Sequence, residues 1–147
     1  GKIFMGDGGA YFVGFMMASI GLMLGIRNEG VSHWFVLLLF IYPLYETAFS
    51  IYRKKIIRGT SPGQPDGFHL HMLIYKRLVR CKTFKNNKTI CNSMTSPFLW
   101  VFSSVGIVPA VIWYDNQTML IFWAFLFMAI YTIIYRRIVH FKFKFKR

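Results

Sequence analysis

Long stretches without a charged residue follow one another along the 147-residue chain, at positions 8–26, 30–45, 93–114 and 116–135. A helix needs about 20 mostly apolar residues to cross roughly 30 Å of hydrocarbon, so each stretch predicts a helix that spans a membrane. We expect about four such transmembrane helices, at about 8–26, 33–52, 97–114 and 119–139, with one large loop at 53–92. The pattern therefore predicts an all-α, polytopic integral membrane protein.

The positive charges lie beside these stretches and not inside them. Of the 18 Lys and Arg residues, ten fall between Arg53 and Lys88 and six fall from Arg136 to the end. Because basic residues concentrate on the cytoplasmic side of membrane proteins, we expect the large loop and the C-terminus there, together with Asp7. The net charge of +13 could indicate nucleic acid, but basic residues next to apolar helices more often meet anionic lipid head groups. We expect anionic lipid as a partner and no nucleic acid.

Small residues follow one face of the first stretch, at Ala10, Gly14, Ala18, Gly21 and Gly25. A stripe of this kind lets another helix approach closely. The first helix is therefore expected to pack against protein and not only against lipid.

Two residues of the second stretch are costly at membrane depth. Pro43 removes a backbone donor and is expected to bend the helix. The carboxylate of Glu46 needs a partner or water. Either Arg53, seven residues further on the same helical face, holds it near the membrane interface, or Glu46 contributes to a functional site.

The large loop contains a second cluster of candidate chemistry, at 61–71. Four proline and glycine residues between 62 and 67 predict an irregular loop. In an extended stretch His69 and His71 would point to the same side. From Leu70 onward apolar residues recur at helical spacing, which predicts an amphipathic helix on the membrane surface.

Each of these signals also has a purely structural explanation. Asp7 could simply cap the first helix, because Asp is among the best helix caps. A His-x-His pair in a loop, such as His69 and His71, is usually solvated.

Order and spacing together give three blocks that resemble one family. The blocks lie at 2–15, around Asp7; at 43–54, from Pro43 through Glu46; and at 65–71, ending in His69-Leu70-His71. They resemble the C-terminal part of the polyprenyl-phosphate N-acetylhexosamine-1-phosphate transferases, which include the undecaprenyl-phosphate N-acetylglucosamine-1-phosphate transferases. These integral membrane enzymes load a sugar phosphate onto undecaprenyl phosphate.

The resemblance implies a role for each matching residue. Asp7 would be a catalytic residue that ligates Mg²⁺, with Mn²⁺ as the alternative ion, since such ions prefer hard oxygen ligands. His69 and His71 would be catalytic residues lying against the phosphates of a UDP-sugar, and Arg58 and Asp66 would help to bind phosphate. The chain would then act in a bacterial inner membrane, releasing UMP at the first membrane step of surface polysaccharide synthesis.

The chain also departs from the family pattern. Met72 replaces a further histidine, Glu46 stands where Asp is frequent, and 8–10 reads Gly-Gly-Ala in place of Thr-Gly-Ser. The family's paired aspartates are absent from this sequence, so helices before Gly1 or another chain would have to supply them, and a homodimer is compatible with this. The alternatives are the phospho-N-acetylmuramoyl-pentapeptide transferase branch and a non-catalytic membrane subunit or remnant.

Overall fold

The computed structural model describes residues 6–61, 63, 67–79 and 88–144. Every regular element in these ranges is helical, which confirms the all-α class. The α-helices are α1 (Gly6–Arg27), α2 (His33–Leu39), α3 (Ile41–Tyr52), α4 (Leu70–Ile74), α5 (Lys88–Ser93), α6 (Ser96–Ile112) and α7 (Gln117–Lys144). A π-helical turn at Arg53–Ile57 continues α3, and another at Tyr75–Val79 continues α4.

Three helical stretches are each long and apolar enough to cross a membrane, namely Gly6–Arg27, Ile90–Ile112 and Gln117–Val139. The pair His33–Leu39 and Ile41–Ile57 passes the same test together. The described residues thus hold three spanning helices, or four if the bent pair is one span, in agreement with the predicted number.

The second span changes direction by 71° at Phe40, between α2 and α3. Pro43 has no N–H to donate to the carbonyl of Leu39, and its ring collides with that carbonyl in a straight helix. The neighbouring bonds survive: the Phe40 N–H donates to Val36 O at 3.3 Å, and the Leu44 N–H donates to Phe40 O at 3.2 Å. The predicted bend is confirmed, and it lies one helical turn before the proline.

A single apolar core joins the second span to α4, α6 and α7. Its largest fully buried side chains are Leu38, Leu70, Leu73, Leu120, Phe127 and Tyr131. Gly106 of α6 lies where the bend of the second span comes closest. A Cβ at this position would be 2.7 Å from Ile41 Cγ2 and 3.1 Å from the carbonyl oxygen of Leu38. The approach of α6 to the bend therefore depends on the missing side chain.

The small-residue stripe of α1 packs against protein in its second half. A Cβ on Gly21 would lie 2.8 Å from Val36 Cγ1, and one on Gly25 would lie 3.9 Å from Val36 Cγ2. Gly14, in the first half, has no described atom within 4 Å of such a Cβ. The expected helix packing is found where α1 passes α2, and the earlier part of α1 is exposed.

The two short connections between spans meet at one end of the bundle, where the Ser32 N–H donates to Tyr114 O at 3.0 Å. At 1.5 Å per residue, Asp7 lies about 30 Å from Arg27 along α1, and Tyr135 lies about 27 Å from Gln117 along α7. Tyr135 contacts Arg53 and Phe68, so the C-terminal end of α3 and the described part of the large loop lie at the opposite end. We call it the basic end, because it holds Arg53, Arg58 and Arg136. Its cytoplasmic location stays a prediction.

Candidate active site

The helix expected on the membrane surface starts at Leu70, as predicted, but its apolar face is covered by protein. Leu70, Leu73 and Ile74 are almost fully buried, and they belong to the same core as Tyr131 of α7. The expectation that this face rests on lipid is therefore wrong. An apolar stripe can be buried by lipid or by a neighbouring helix, and α7 supplies the neighbour here. This packing fixes the start of α4 against the bundle.

Glu46 is the centre of a polar cluster between α3, α4 and α7. Its side chain is only 13% exposed. Its Oε1 accepts a hydrogen bond from the Leu70 N–H at 2.9 Å and lies 3.1 Å from Nδ1 of His69. Its Oε2 accepts a hydrogen bond from the Tyr131 hydroxyl at 2.7 Å. Both carboxylate oxygens thus have partners, as a buried charge requires.

Of the two alternatives for Glu46, pairing with Arg53 is not found among the described residues. Among the residues that the structure describes, the ion-pair partner of Glu46 is His69, when that imidazole is protonated. Seven residues along a helix place Glu46 and Arg53 on one face, but the loop brings a closer partner from outside the helix.

Arg53 has its own place in the same cluster, and it is 5% exposed. Its Nη1 donates to Phe68 O at 2.7 Å and to the hydroxyl of Tyr135, and its Nη2 donates to Ser50 Oγ at 3.3 Å. The Tyr135 hydroxyl also donates to Phe68 O at 3.2 Å. The guanidinium carbon lies 5.5 Å from the centre of the Tyr135 ring, within the range of a cation–π contact. Arg53 therefore ties the carbonyl of Phe68 to α3 and α7.

We call residues 67–71 the histidine segment, and it is held from both sides. Arg53 holds the carbonyl of Phe68, and Glu46 holds the amide of Leu70 and the ring of His69. His69 precedes α4 with extended backbone (φ −64°, ψ 149°), whereas His71 is already helical. Their rings stack with centroids 5.8 Å apart and planes 14° apart. The expectation that both imidazoles face one side is confirmed, although a helix start and not an extended stretch produces it.

The two imidazoles differ in their electrostatic surroundings. Partial burial lowers the pKa of His71 below its ordinary value of 6.5, the Glu46 carboxylate opposes this effect, and His69 adds to the lowering. His71 is therefore mainly neutral near pH 7, with one ring nitrogen as a donor and the other as an acceptor. The Nδ1 of His69 faces Glu46, so its Nε2 lies on the other edge of the ring. His71 can donate to an anion through its protonated nitrogen, and His69 can donate through Nε2 when both of its ring nitrogens carry a proton.

Arg58 lies next to the histidine segment, with its guanidinium carbon 4.0 Å from the centre of the Phe68 ring. Arg53, Arg58 and Arg136 line one cavity of about 340 Å³, together with Tyr135 and Phe68. A cavity lined by three arginines and aromatic rings suits an anionic group that carries an apolar or ring-shaped part. The role of Arg58 in phosphate binding stays a prediction.

The chain is 28% identical over 135 residues to the undecaprenyl-phosphate alpha-N-acetylglucosaminyl 1-phosphate transferase of Haemophilus influenzae. The predicted family resemblance is confirmed. The match covers 90% of this chain, and it covers 36% of the curated relative. No protein-family model matches the chain, and no solved structure matches it.

The residues that carry the resemblance to these transferases are only partly brought together. His69 and His71 share one site at the basic end. Asp7 is exposed in the first turn of α1, after Gly6, whose φ of +70° marks the left-handed region. No hydrogen bond or ion pair joins Asp7 to another residue within the described ranges. Asp66 lies outside the described residues.

The described part of the chain contains no group of three or more His, Cys, Asp or Glu residues that could hold a metal ion. The carboxylate of Asp7 alone could supply one oxygen ligand. Mg²⁺ is commonly bound by one or two carboxylates together with water and substrate phosphates. A magnesium site at Asp7 would therefore need its other ligands from substrate, water or residues elsewhere, and the metal stays a prediction.

Sequence reasoning missed the contribution of α7. Tyr131 and Tyr135 reach the histidine segment through Glu46 and Phe68, although the last apolar stretch predicts only a membrane span. Their spacing of four residues puts both hydroxyls on one face of the helix, in its second half. Two phenols so placed in an otherwise apolar helix are a signal for buried polar partners.

Proposed function

We propose that this chain forms part of a membrane enzyme that transfers an N-acetylhexosamine 1-phosphate from a UDP-sugar to undecaprenyl phosphate and releases UMP. The similarity to the Haemophilus influenzae enzyme supports the reaction class. The single observation that carries the proposal is the paired arrangement of His69 and His71, with His69 held by Glu46. In this proposal the reaction opens surface polysaccharide synthesis at a bacterial inner membrane.

The charges of the basic end suit both substrates. The UDP-sugar carries a pyrophosphate, and undecaprenyl phosphate carries a phosphate at the membrane interface. The imidazoles of His69 and His71 would contact the pyrophosphate, and Arg58 would add a positive charge beside them. Such anionic groups are favoured where basic side chains meet the membrane surface. The protein then contributes position and electrostatics, which dominate phosphoryl transfer.

A divalent ion completes the proposed site. Asp7 would hold Mg²⁺, or Mn²⁺, with the remaining ligands from substrate phosphates, water and the paired aspartates expected from preceding helices or another chain. Such an ion would neutralise charge on the pyrophosphate as the lipid phosphate attacks. Within this chain, Asp7 would orient the ion and the histidine segment would orient the sugar nucleotide.

Membranes that express the chain within its full reading frame provide the test. They should release UMP from UDP-N-acetylglucosamine when undecaprenyl phosphate is added, and the release should require Mg²⁺. UDP-N-acetylmuramoyl-pentapeptide should be offered in parallel, because its use would favour the peptidoglycan branch instead. Absence of UMP release from every UDP-sugar, in membranes that contain the folded protein, would favour a non-catalytic subunit.

A further inference from the structure

The contacts of Glu46 converge on two adjacent residues. Its Oε1 is shared by the amide of Leu70 and the ring of His69, and its Oε2 is fixed by the Tyr131 hydroxyl. We propose that Glu46 is a positioning residue, which sets the ring orientation of His69 and the backbone of the histidine segment. The catalytic consequence of this role rests on the proposed function.

The geometry restricts the His69 ring in a specific way. The carboxylate is a pure acceptor when ionised, so the Nδ1 of His69 must carry the proton that the two groups share. This leaves Nε2 on the opposite edge of the ring, where it donates to an anion when both ring nitrogens carry a proton. Rotation of the ring would break the contact with Glu46. The side chain of His69 is 29% exposed, so one part of the ring stays accessible.

The carboxylate also fixes the backbone. The first amides of a helix have no partner within the helix. Glu46 accepts the hydrogen bond of one of them, the Leu70 N–H. Glu46 belongs to α3 and lies 24 residues before Leu70 in the sequence. Since His71 stacks on His69, a fixed His69 also fixes one face of His71. Glu46 thereby orients two imidazoles although it faces only one.

Hydrogen exchange gives a test that needs no enzymatic activity. In Glu46→Ala, the Leu70 amide loses its acceptor, so exchange of the peptide containing Leu70 should become about tenfold faster, the order expected for a bond to a charged group. Tyr45→Phe is the matched control. It also removes a bond between α3 and α7, the 3.0 Å contact of the Tyr45 and Thr132 hydroxyls, but does not touch the histidine segment.

Two milder variants keep the test informative if Glu46→Ala folds poorly. Glu46→Asp keeps the charge but is one methylene shorter, so it should exchange at a rate between those of the wild type and Glu46→Ala. Tyr131→Phe keeps the carboxylate and removes the hydroxyl that donates to Oε2. We expect it to speed exchange about threefold, since only a supporting bond is lost.

Kinetics in the full reading frame then test the positioning role. In Glu46→Ala, kcat/KM for the UDP-sugar should fall about tenfold, Glu46→Asp should recover part of the loss, and Tyr45→Phe should match the wild type. Exchange at Leu70 that is equally slow in Glu46→Ala and Tyr45→Phe overturns the proposal. Faster exchange with unchanged kcat/KM overturns the catalytic part of it. Absence of transfer by the wild type contradicts the proposed function alone, because the exchange measurement still decides whether Glu46 holds the segment.

Discussion

Replacing Gly106 by alanine tests the packing that brings α6 to the bend of the second span. The added methyl group would lie 2.7 Å from Ile41 Cγ2 and 3.1 Å from the carbonyl oxygen of Leu38. The Ile41 side chain can turn aside, but the Leu38 carbonyl belongs to the backbone of α2. The helices must therefore move apart by a few tenths of an ångström.

The expected effect follows from two opposing contributions to the free energy of unfolding. Overpacking of a well-packed core costs about 1–3 kcal/mol. The higher helix propensity of alanine returns up to about 1 kcal/mol. We expect Gly106→Ala to lower the stability by about 1–2 kcal/mol, which corresponds to a Tm lower by roughly 2–8 °C for a chain of this size.

Thermal unfolding in mild detergent, followed by helical circular dichroism, measures this shift. Gly25→Ala is the matched control, because a Cβ on Gly25 would lie 3.9 Å from Val36 Cγ2, an ordinary van der Waals distance. It should leave Tm unchanged or raise it. If Gly106→Ala is as stable as Gly25→Ala, α6 does not depend on a missing side chain at the bend, and the packing argument is refuted.

Three further predictions concern the candidate site. Asp7→Asn removes the charge of the side chain but keeps its shape, so UMP release should be lost without a change in Tm. Turnover at the wild-type rate would leave Asp7 with only a structural role at the start of α1. His69→Ala should raise KM for the UDP-sugar, and unchanged kinetics would remove His69 from the site. The lowered pKa of His71 means that the folded protein binds this proton less readily than the unfolded chain, so stability should fall as the pH drops through 6.5 and below. His71→Ala should reduce that fall in Tm between about pH 7.5 and pH 5.5, and an equal fall in both proteins would contradict the lowered pKa of His71.

The spans could be predicted because lipid imposes a simple rule on every residue that meets it. Uncharged stretches of sufficient length become helices, and the ends of α1 and α6 agree with the predicted ends within a few residues. The bend could also be predicted, because the chemistry of Pro43 acts on its own helix.

The contacts of the site could be predicted only in part, because they join residues distant in sequence. Glu46 meets Leu70 across 24 residues and Tyr131 across 85 residues. Local periodicity gave Arg53 as one of two alternatives for Glu46, and it gave lipid as the cover for α4. Neither is found, because helical spacing shows which residues share a face, but not which other element covers that face.

The meeting of the two short connections, through Ser32 and Tyr114, has a mechanical consequence. Two helices that are joined at one end move little near the joint and most at their free ends. A change of only about 5° in the angle between α1 and α7 would displace their far ends by about 3 Å over a length of about 30 Å. The far ends of α1 and α7 are therefore the parts of the bundle that such an angular change would move most.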